Sequence, residues 1–351
     1  MRHLVSVLSC LIALPACSSG ATAPASPPGP GLAAPSSYFD NTGRIDVLAG
    51  GVRMIPIHTP AGDFHVWTKR IGNNPHLKVL LLHGGPGFTH EYLEAFDGWL
   101  PGAGVEYYYY DQLGSAYSDQ PDDTSLWELP RFVEEVEQVR QALGLDRDNF
   151  VLYGHSWGAM LAIDYALKYQ QHLEGLILSD MMSSLPAYNR YAHDVLMPQM
   201  DPAALAEIQR LEAEGRTDDP RYMELLVANH YEKHILRMPA DQWPDPVQRA
   251  MKHLNVGLYT LMQGPSELGA SGRLADWERT DDLARITVPT LVIGARYDTM
   301  DPEDMEMMAG RLPHGRFLYC ANGSHLCLYD DQATYMGGVI DFLHDLEAGR
   351  P

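Results

Sequence analysis

The sequence predicts an α/β fold with a mostly parallel, doubly wound sheet. Short apolar runs, typical of strands buried on both faces, occur at residues 78–82, 105–110, 150–153, 175–179, 289–293 and 316–320. Helical patterns lie between several of these runs, notably over residues 129–143 and 159–169. Strands that alternate with helices are joined by crossover connections, which make neighbouring strands parallel.

Two further β-rich stretches precede this pattern. Residues 51–59 and 63–71 are joined by Pro60-Ala61-Gly62. A short linker of this composition between two such stretches predicts a hairpin.

A long helical insertion interrupts the alternation. Residues 183–285 are helical in pattern and charged, with Met, Tyr and Pro interspersed, and lie between the sixth and seventh predicted strands. Chain length alone favours two independent domains. Because strands on both flanks are needed to complete one sheet, we predict instead a single core, residues 38–182 and 286–351, with an inserted helical lid.

The composition limits the classes of partner. A hydrophobic content of 45% is ample for a sizeable buried core, and the formal net charge is -21. Binding to a nucleic-acid backbone needs a surface rich in Lys and Arg, so we expect no nucleic-acid partner. An acidic surface instead attracts cationic substrates.

The first residues are predicted to be an export signal. Arg2 and His3 precede an apolar run, residues 4–14, that is too short to span a bilayer. Leu14-Pro15-Ala16-Cys17 resembles the bacterial lipobox, in which the cysteine is lipidated after cleavage; the alternative is an ordinary signal peptide with an incidental Cys17. Residues 1–16 are therefore predicted to be a lipoprotein signal peptide, and residues 17–37, rich in Ser, Ala, Pro and Gly, a flexible tether.

This interpretation predicts the location of the mature chain. It would lie at the periplasmic face of a bacterial membrane, attached through lipidated Cys17 only. Ser18 is not an acidic residue of the kind that often retains lipoproteins at the inner membrane, so the outer membrane is preferred.

Apart from the lipidated Cys17, the mature chain contains two cysteines, Cys320 and Cys327, which bracket His325. In an oxidising compartment they could form a disulfide, and the alternative is two reduced core thiols. Sequence alone does not place their Cα atoms within bridging distance.

A candidate nucleophile follows the fifth predicted strand. Gly154-His155-Ser156-Trp157-Gly158 stands between this strand and a helix, which is the context of a nucleophile elbow. Glycines flank the serine because the turn is too sharp for side chains at those positions. The motif predicts that Ser156 is exposed at the top of the sheet, at a helix N-terminus, as in the α/β-hydrolase fold.

A serine hydroxyl needs a general base, and the base needs an orienting carboxylate. In this fold the chain order is Ser, acid, His. Asp298 follows the strand at 289–293 and His325 follows the strand at 316–320, so both are predicted at carboxyl ends of neighbouring strands. Asp180 is the rival acid, since it too directly follows a core strand. We favour Asp298.

A glycine-rich loop follows the third predicted strand. In His83-Gly84-Gly85-Pro86-Gly87 the small residues let the backbone approach an acyl group closely. The amides of Gly85 and Trp157 are the predicted oxyanion hole. The alternative for this loop is a simple Gly-Pro turn.

Taken together, these motifs resemble the proline iminopeptidase (prolyl aminopeptidase) family of α/β-hydrolases, and most of all its tricorn-interacting aminopeptidase branch. Besides the glycine-rich and nucleophile motifs, the loops at 110–118, 294–298 and 323–325 match the family pattern. The resemblance covers residues 39–346 and implies a serine aminopeptidase that acts through an acyl-enzyme. The resemblance further implies that this enzyme releases N-terminal proline, or another small apolar residue, from short peptides or amides with a free N-terminus.

The resemblance also implies a binding site for the substrate amine. Family members bind the amine with glutamates of the lid, and Glu224 and Glu267 stand at positions that resemble them. Without the resemblance, each would be taken for a solvated lid carboxylate. Two carboxylates offer several acceptors to an ammonium group, and they would fix its distance from Ser156.

Some residues depart from the family pattern. Ala159 replaces a glycine that often follows the nucleophile motif, and Leu113, Ala116 and Tyr117 alter the loop after Asp111. An esterase, lactonase or amino-acid amidase with the same Ser156, Asp298 and His325 is therefore the alternative function. A binding protein that kept the scaffold without catalysis is a second alternative. The pattern calls for no metal and no organic cofactor.

Overall fold

The computed structural model describes residues 37–350, which form one eight-stranded sheet with helices on both faces. The spatial order is β1-β2-β4-β3-β5-β6-β7-β8. The strands are β1 Val52–Thr59, β2 Gly62–Ile71, β3 Lys78–Leu82, β4 Glu106–Asp111, β5 Phe150–His155, β6 Gly175–Ser179, β7 Thr290–Ala295 and β8 Gly315–Cys320.

The strand directions confirm the predicted fold class. Strands β1 and β2 form an antiparallel hairpin, and β2 pairs antiparallel with β4. All remaining pairs, from β4 through β8, are parallel. The sheet is therefore mostly parallel, and the apolar runs in the sequence mark its strands to within about two residues at either end.

Helices cover both faces because the inner strands are apolar on both faces. In β3, Leu80 and Leu82 pack into one hydrophobic cluster, while Val79 and Leu81 pack into the cluster on the opposite face. Successive strand side chains point to opposite faces, so one short apolar run contributes to both cores.

The α-helices are α1 Leu129–Leu143, α2 Trp157–Tyr169, α3 Leu185–Tyr191, α4 Pro202–Ala213, α5 Pro220–Leu226, α6 Glu232–His234, α7 Asp245–Lys252, α8 Val256–Met262, α9 Pro302–Arg311, α10 Cys327–Asp330 and α11 Gln332–Glu347.

The segment between β6 and β7 carries helices α3 to α8. Its buried side chains belong to the same two clusters as the strands: Tyr188 and Met262 lie in one, Ile208 and Leu226 in the other. The inserted helices therefore share the hydrophobic cores of the sheet.

An ionic cluster also links the insertion to the core. Arg249 of α7 donates to Glu91 Oε1 at 2.8 Å and to Glu94 Oε2 at 2.5 Å. His253 Nδ1 lies 2.8 Å from Glu91 Oε2. Glu91 and Glu94 belong to the 3₁₀ segment His90–Gly98, which follows the glycine-rich loop.

The predicted signal peptide, Cys17 and all of the predicted tether except residue 37 lie outside the described residues. Over residues 37–350, no helix combines the length and apolar character needed to cross a membrane.

Candidate active site

A cavity of about 380 Å³ lies between the carboxyl ends of the parallel strands and the inserted helices. Ser156 and His325 line it from the core, and Glu267 lines it from the insertion. Most of the insertion side of its wall is apolar, formed by Met223, Ile235, Trp243, Met251, Leu254 and Val256. A largely apolar cavity with a few convergent polar groups is typical of a small-molecule site.

Ser156 occupies a strained turn between β5 and α2. Its φ is 55° and its ψ is -126°, in a region that residues with a side chain rarely adopt. The flanking glycines make the turn possible: a Cβ on Gly154 would lie 2.1 Å from the carbonyl oxygen of Gly158, and a Cβ on Gly158 would lie 2.2 Å from that of Leu82. The glycine spacing of the motif is thus required by backbone contacts.

His325 and Asp298 are brought together by the loops after β8 and β7. His325 Nδ1 lies 2.8 Å from Asp298 Oδ1, which also accepts the Met300 N–H at 3.0 Å. Both side chains are buried. Burial alone would lower the pKa of His325, but the Asp298 carboxylate stabilises the imidazolium, and the net pKa lies above the ordinary histidine value.

Ser156 and His325 both line the cavity. The backbone N–H of His325 donates to the His234 carbonyl at 2.9 Å, which holds the His325 loop in position. Among residues 37–350, no side chain or backbone group forms a hydrogen bond with the Ser156 hydroxyl. Hydrogen bonds of this kind are often long in unliganded sites and tighten when substrate is bound.

The rival acid, Asp180, does not contact His325. It is fully buried after β6. The Ser179 hydroxyl donates to its Oδ2 at 2.6 Å, and the Cys327 thiol lies 3.3 Å from the same oxygen. The structure therefore pairs His325 with Asp298.

The glycine-rich loop lies directly against the nucleophile elbow. A Cβ on Gly84 would be 3.2 Å from the Ser156 Cβ. Gly85, Ser156 and Trp157 border one small chamber, of about 10 Å³, beside the main cavity. Within the described part of the chain, the Gly85 and Trp157 amides have no protein acceptor, as expected of Trp157 at the first turn of α2.

A hydrogen-bonded chain fixes the loop relative to the elbow. The Trp157 indole donates to Gln112 Oε1 at 2.8 Å, and the Gln112 side-chain amide donates to the His83 carbonyl at 3.1 Å. Burial lowers the pKa of His83 to about 4, so its ring is neutral and Nε2 accepts the Gln112 backbone N–H at 3.1 Å. No sequence pattern indicated this role of Gln112.

Glu267 is the carboxylate of the insertion that enters the cavity. Tyr259 donates to its Oε1 at 2.5 Å. Its backbone carbonyl accepts from the Tyr188 and Thr299 hydroxyls at 2.7 and 2.9 Å. Burial raises the pKa of Glu267, although His325 and Tyr259 oppose this shift. No Lys or Arg within residues 37–350 forms an ion pair with it.

The structure corrects the prediction for Glu224. Its side chain is 64% exposed and pairs with Arg221 on the surface of α5. The neighbouring Met223 lines the cavity instead. Adjacent helical residues point about 100° apart, so the two side chains cannot share one direction.

A second carboxylate that the sequence did not single out, Asp218, lies at the rim of the same cavity. It immediately precedes Asp219, whose side chain caps α5 by accepting the Arg221 N–H. No pattern distinguished Asp218 from this capping neighbour.

Cys320 and Cys327 are free, buried thiols in this structure. Both side chains pack against Gly323 and are therefore close to each other: a Cβ on Gly323 would lie 2.4 Å from the Cys327 Cβ and 3.2 Å from the Cys320 Cβ. Of the two alternatives left by the sequence, the structure contains the reduced pair. Over the described residues, no cluster of three or more His, Cys, Asp or Glu side chains could hold a metal ion.

The strand order, the elbow and the His325–Asp298 pair together define a hydrolase of the α/β-hydrolase fold. The family described as alpha/beta hydrolase fold matches residues 78–332. A proline iminopeptidase from Flavobacterium johnsoniae is 57% identical over 84% of this chain and 98% of its own length, and one from Saccharolobus solfataricus is 34% identical over 78% and 86%. The crystal structure of a proline iminopeptidase from Mycobacterium smegmatis, 27% identical, superposes with a TM-score of 0.74 over 86% of this chain and 100% of that one. The chain belongs to the proline iminopeptidase family, which confirms the resemblance found in its sequence.

Proposed function

We propose that this protein is a serine aminopeptidase that releases N-terminal proline, or another small apolar residue, from short peptides or amides. The observation that carries the proposal is the position of Glu267. This partly buried carboxylate shares a cavity with Ser156 and His325 and has no Lys or Arg partner among the described residues. The ammonium group of a substrate would supply the missing cation.

In the proposed reaction Ser156 is the nucleophile and His325 the general base. His325 takes the hydroxyl proton as Ser156 Oγ attacks the carbonyl of the first residue, and Asp298 stabilises the imidazolium that forms. The amides of Gly85 and Trp157 stabilise the oxyanion. His325 then gives its proton to the leaving amine, and water hydrolyses the acyl-enzyme by the reverse sequence of proton transfers.

Glu267 accounts for the restriction to the first residue. An ammonium group held by Glu267 stands at a fixed distance from Ser156, so only the adjacent carbonyl reaches the nucleophile. A peptide bond further along the chain, or a blocked amine, lacks this anchor. Asp218 at the rim adds negative charge along the approach path and favours cationic substrates.

The apolar wall suits an uncharged first residue. Met223, Met251 and Ile235 offer dispersion contacts and no hydrogen-bond partner beyond the methionine sulfurs. Methionine side chains adapt to several shapes, which is compatible with proline and with other small apolar residues.

For the cellular location, we propose export as a lipoprotein attached through Cys17 to the periplasmic face of a bacterial membrane. The apolar run at 4–14 and the following Leu14-Pro15-Ala16-Cys17 support this proposal. Metabolic labelling with a fatty-acid analogue tests it, with Cys17→Ser as the control. Equal labelling of both proteins would contradict it.

The function is tested by comparing three substrates with the purified protein: proline p-nitroanilide, its N-acetylated form and a simple p-nitrophenyl ester. We expect efficient cleavage of the free-amine compound only. Ser156→Ala should remove turnover and labelling by a fluorophosphonate while retaining the circular dichroism of the native protein. If the blocked compounds are cleaved as well as the free amine, the enzyme is an esterase or amidase, and Glu267 has no substrate role.

A further inference from the structure

The strongest unexplained feature outside the proposed mechanism is a second buried aspartate behind the His325–Asp298 pair. Asp180 and Asp298 follow neighbouring parallel strands, and their carboxyl groups lie within hydrogen-bonding reach of each other. Asp298 uses Oδ1 for His325 and Met300. Asp298 Oδ2 is buried, and no N–H, hydroxyl or thiol of residues 37–350 donates to it.

No cation among residues 37–350 compensates a charge on Asp180. No Lys or Arg in the described part of the chain pairs with it, and the nearest ring nitrogen, His155 Nε2, is 3.8 Å away. Burial lowers the pKa of His155 well below its ordinary value, so that ring is neutral. Two adjacent buried carboxylates cannot both remain ionised at such a site.

The hydrogen-bond partners decide which of the two carries the proton. Asp298 accepts from an imidazole and from a backbone N–H, both of which stabilise a carboxylate. Asp180 accepts from the weaker donors Ser179 and Cys327. Burial, and to a smaller extent the charge of Asp298, raises the pKa of Asp180 well above its usual range.

We propose that Asp180 is a neutral carboxylic acid that donates a hydrogen bond to Asp298 Oδ2 and so positions the carboxylate that holds His325. The donated bond pins the plane of the Asp298 carboxylate, which keeps Oδ1 directed at His325 Nδ1. It also withdraws electron density from Asp298, so the charge that faces His325 is weaker than that of an isolated carboxylate. Asp180 is thus a positioning residue, and this role rests on the proposed reaction.

The conformation of Asp180 dictates which variants are informative. Its φ is 53°, in the left-handed region that asparagine and glycine tolerate. Asp180→Asn keeps an uncharged donor, and Asp180→Gly removes the side chain without backbone strain. Tyr335→Phe is the matched control, because it removes a buried hydroxyl that bonds Ser179 Oγ at 2.8 Å and leaves Asp180 in place.

The decisive readout is the acidic limb of kcat/KM with the p-nitrophenyl ester, which reports the protonation of His325 without the contribution of Glu267. We expect Asp180→Asn to leave this limb at its native pH with nearly native kcat. We expect Asp180→Gly to lower kcat by roughly ten- to a hundred-fold at unchanged KM, the value of one hydrogen bond to a charged group, and to move the limb to higher pH because Asp298 then stabilises the imidazolium more strongly. Tyr335→Phe should leave the limb unmoved. The ionisable groups around this site are Asp298, Glu267, His155, His325, Tyr92, Tyr153, Tyr335, Cys320 and Cys327. All of them are retained in both Asp180 variants, and only Tyr335 is changed in the control.

Two results would overturn the proposal. A shift of the limb to lower pH in Asp180→Asn would mean that a negative charge had been removed, so Asp180 is ionised in the native protein. Native kcat and an unmoved limb in Asp180→Gly would mean that Asp180 has no positioning role.

A spectroscopic measurement keeps the test decisive if Asp180→Gly does not fold. The infrared difference between the native protein and Asp180→Asn should contain the carbonyl stretch of a protonated carboxylic acid at neutral pH, and its absence would contradict the proposal. All kinetics are run with proline p-nitroanilide and with a p-nitrophenyl ester. If the native protein cleaves the ester as well as proline p-nitroanilide, the aminopeptidase function is overturned. The Asp180 test remains intact in that case, since cleavage of both substrates depends on His325.

Discussion

The Tyr259 hydroxyl donates to Glu267 Oε1 at 2.5 Å, which leaves Oε2 available in the cavity. This contact holds the carboxylate in one orientation although burial disfavours its charge. We expect Glu267→Gln to cost on the order of 2 to 5 kcal/mol in transition-state binding of proline p-nitroanilide, because the substrate ammonium loses its partner.

The matched control for this substitution is Glu224→Gln, which removes a charge on the exposed side of α5. We expect kcat/KM within about two-fold of native, since exposed ion pairs contribute little. A loss in Glu224→Gln as large as in Glu267→Gln would return Glu224 to the amine site.

Asp298→Asn should reduce kcat by about 10³- to 10⁴-fold with little change in KM. The amide presents the wrong hydrogen-bonding group to His325 Nδ1, so the ring loses its orientation and the stabilisation of its positive charge. Kinetics of the variant on the p-nitrophenyl ester give the same comparison without the amine site. Near-native turnover would show that Asp298 is not the acid of the reaction.

The pH dependence of kcat/KM follows from two raised pKa values. His325 must be neutral to accept the Ser156 proton, and Glu267 must be ionised to bind an ammonium. Acidification therefore reduces kcat/KM through both groups, and we expect the acidic limb to lie above the ordinary histidine pKa of about 6.5. With the ester, only the His325 contribution should remain. A limb below the ordinary histidine pKa with the ester would contradict the raised pKa of His325.

Gly158→Ala should prevent formation of the elbow. The added Cβ would lie 2.2 Å from the Leu82 carbonyl oxygen, and backbone atoms on a central strand cannot give way cheaply. We expect a loss of at least about 1–3 kcal/mol in the free energy of unfolding, measured by chemical denaturation, together with loss of activity. Gly310→Ala is the control, because a Cβ there meets no atom of the described residues within 4 Å. Equal stability of the two variants would mean that the elbow can adjust.

The sequence by itself predicted the fold class, the strand positions, Ser156 as nucleophile and His325 as base, because periodicity and local turn chemistry depend on neighbours along the chain. For the acid it favoured Asp298 and left Asp180 as the rival. Through a family resemblance, the sequence also indicated Glu267 as a residue that binds the substrate amine. Only the tertiary structure decided between Asp298 and Asp180, since both follow a strand and only distances across strands distinguish them. The outward orientation of Glu224 was also decided by the tertiary structure, because the face of α5 that is buried depends on the elements packed against it. The protonation expected of Asp180 is a property of burial and of one neighbouring carboxylate 118 positions away in the chain, and no local pattern encodes such a contact.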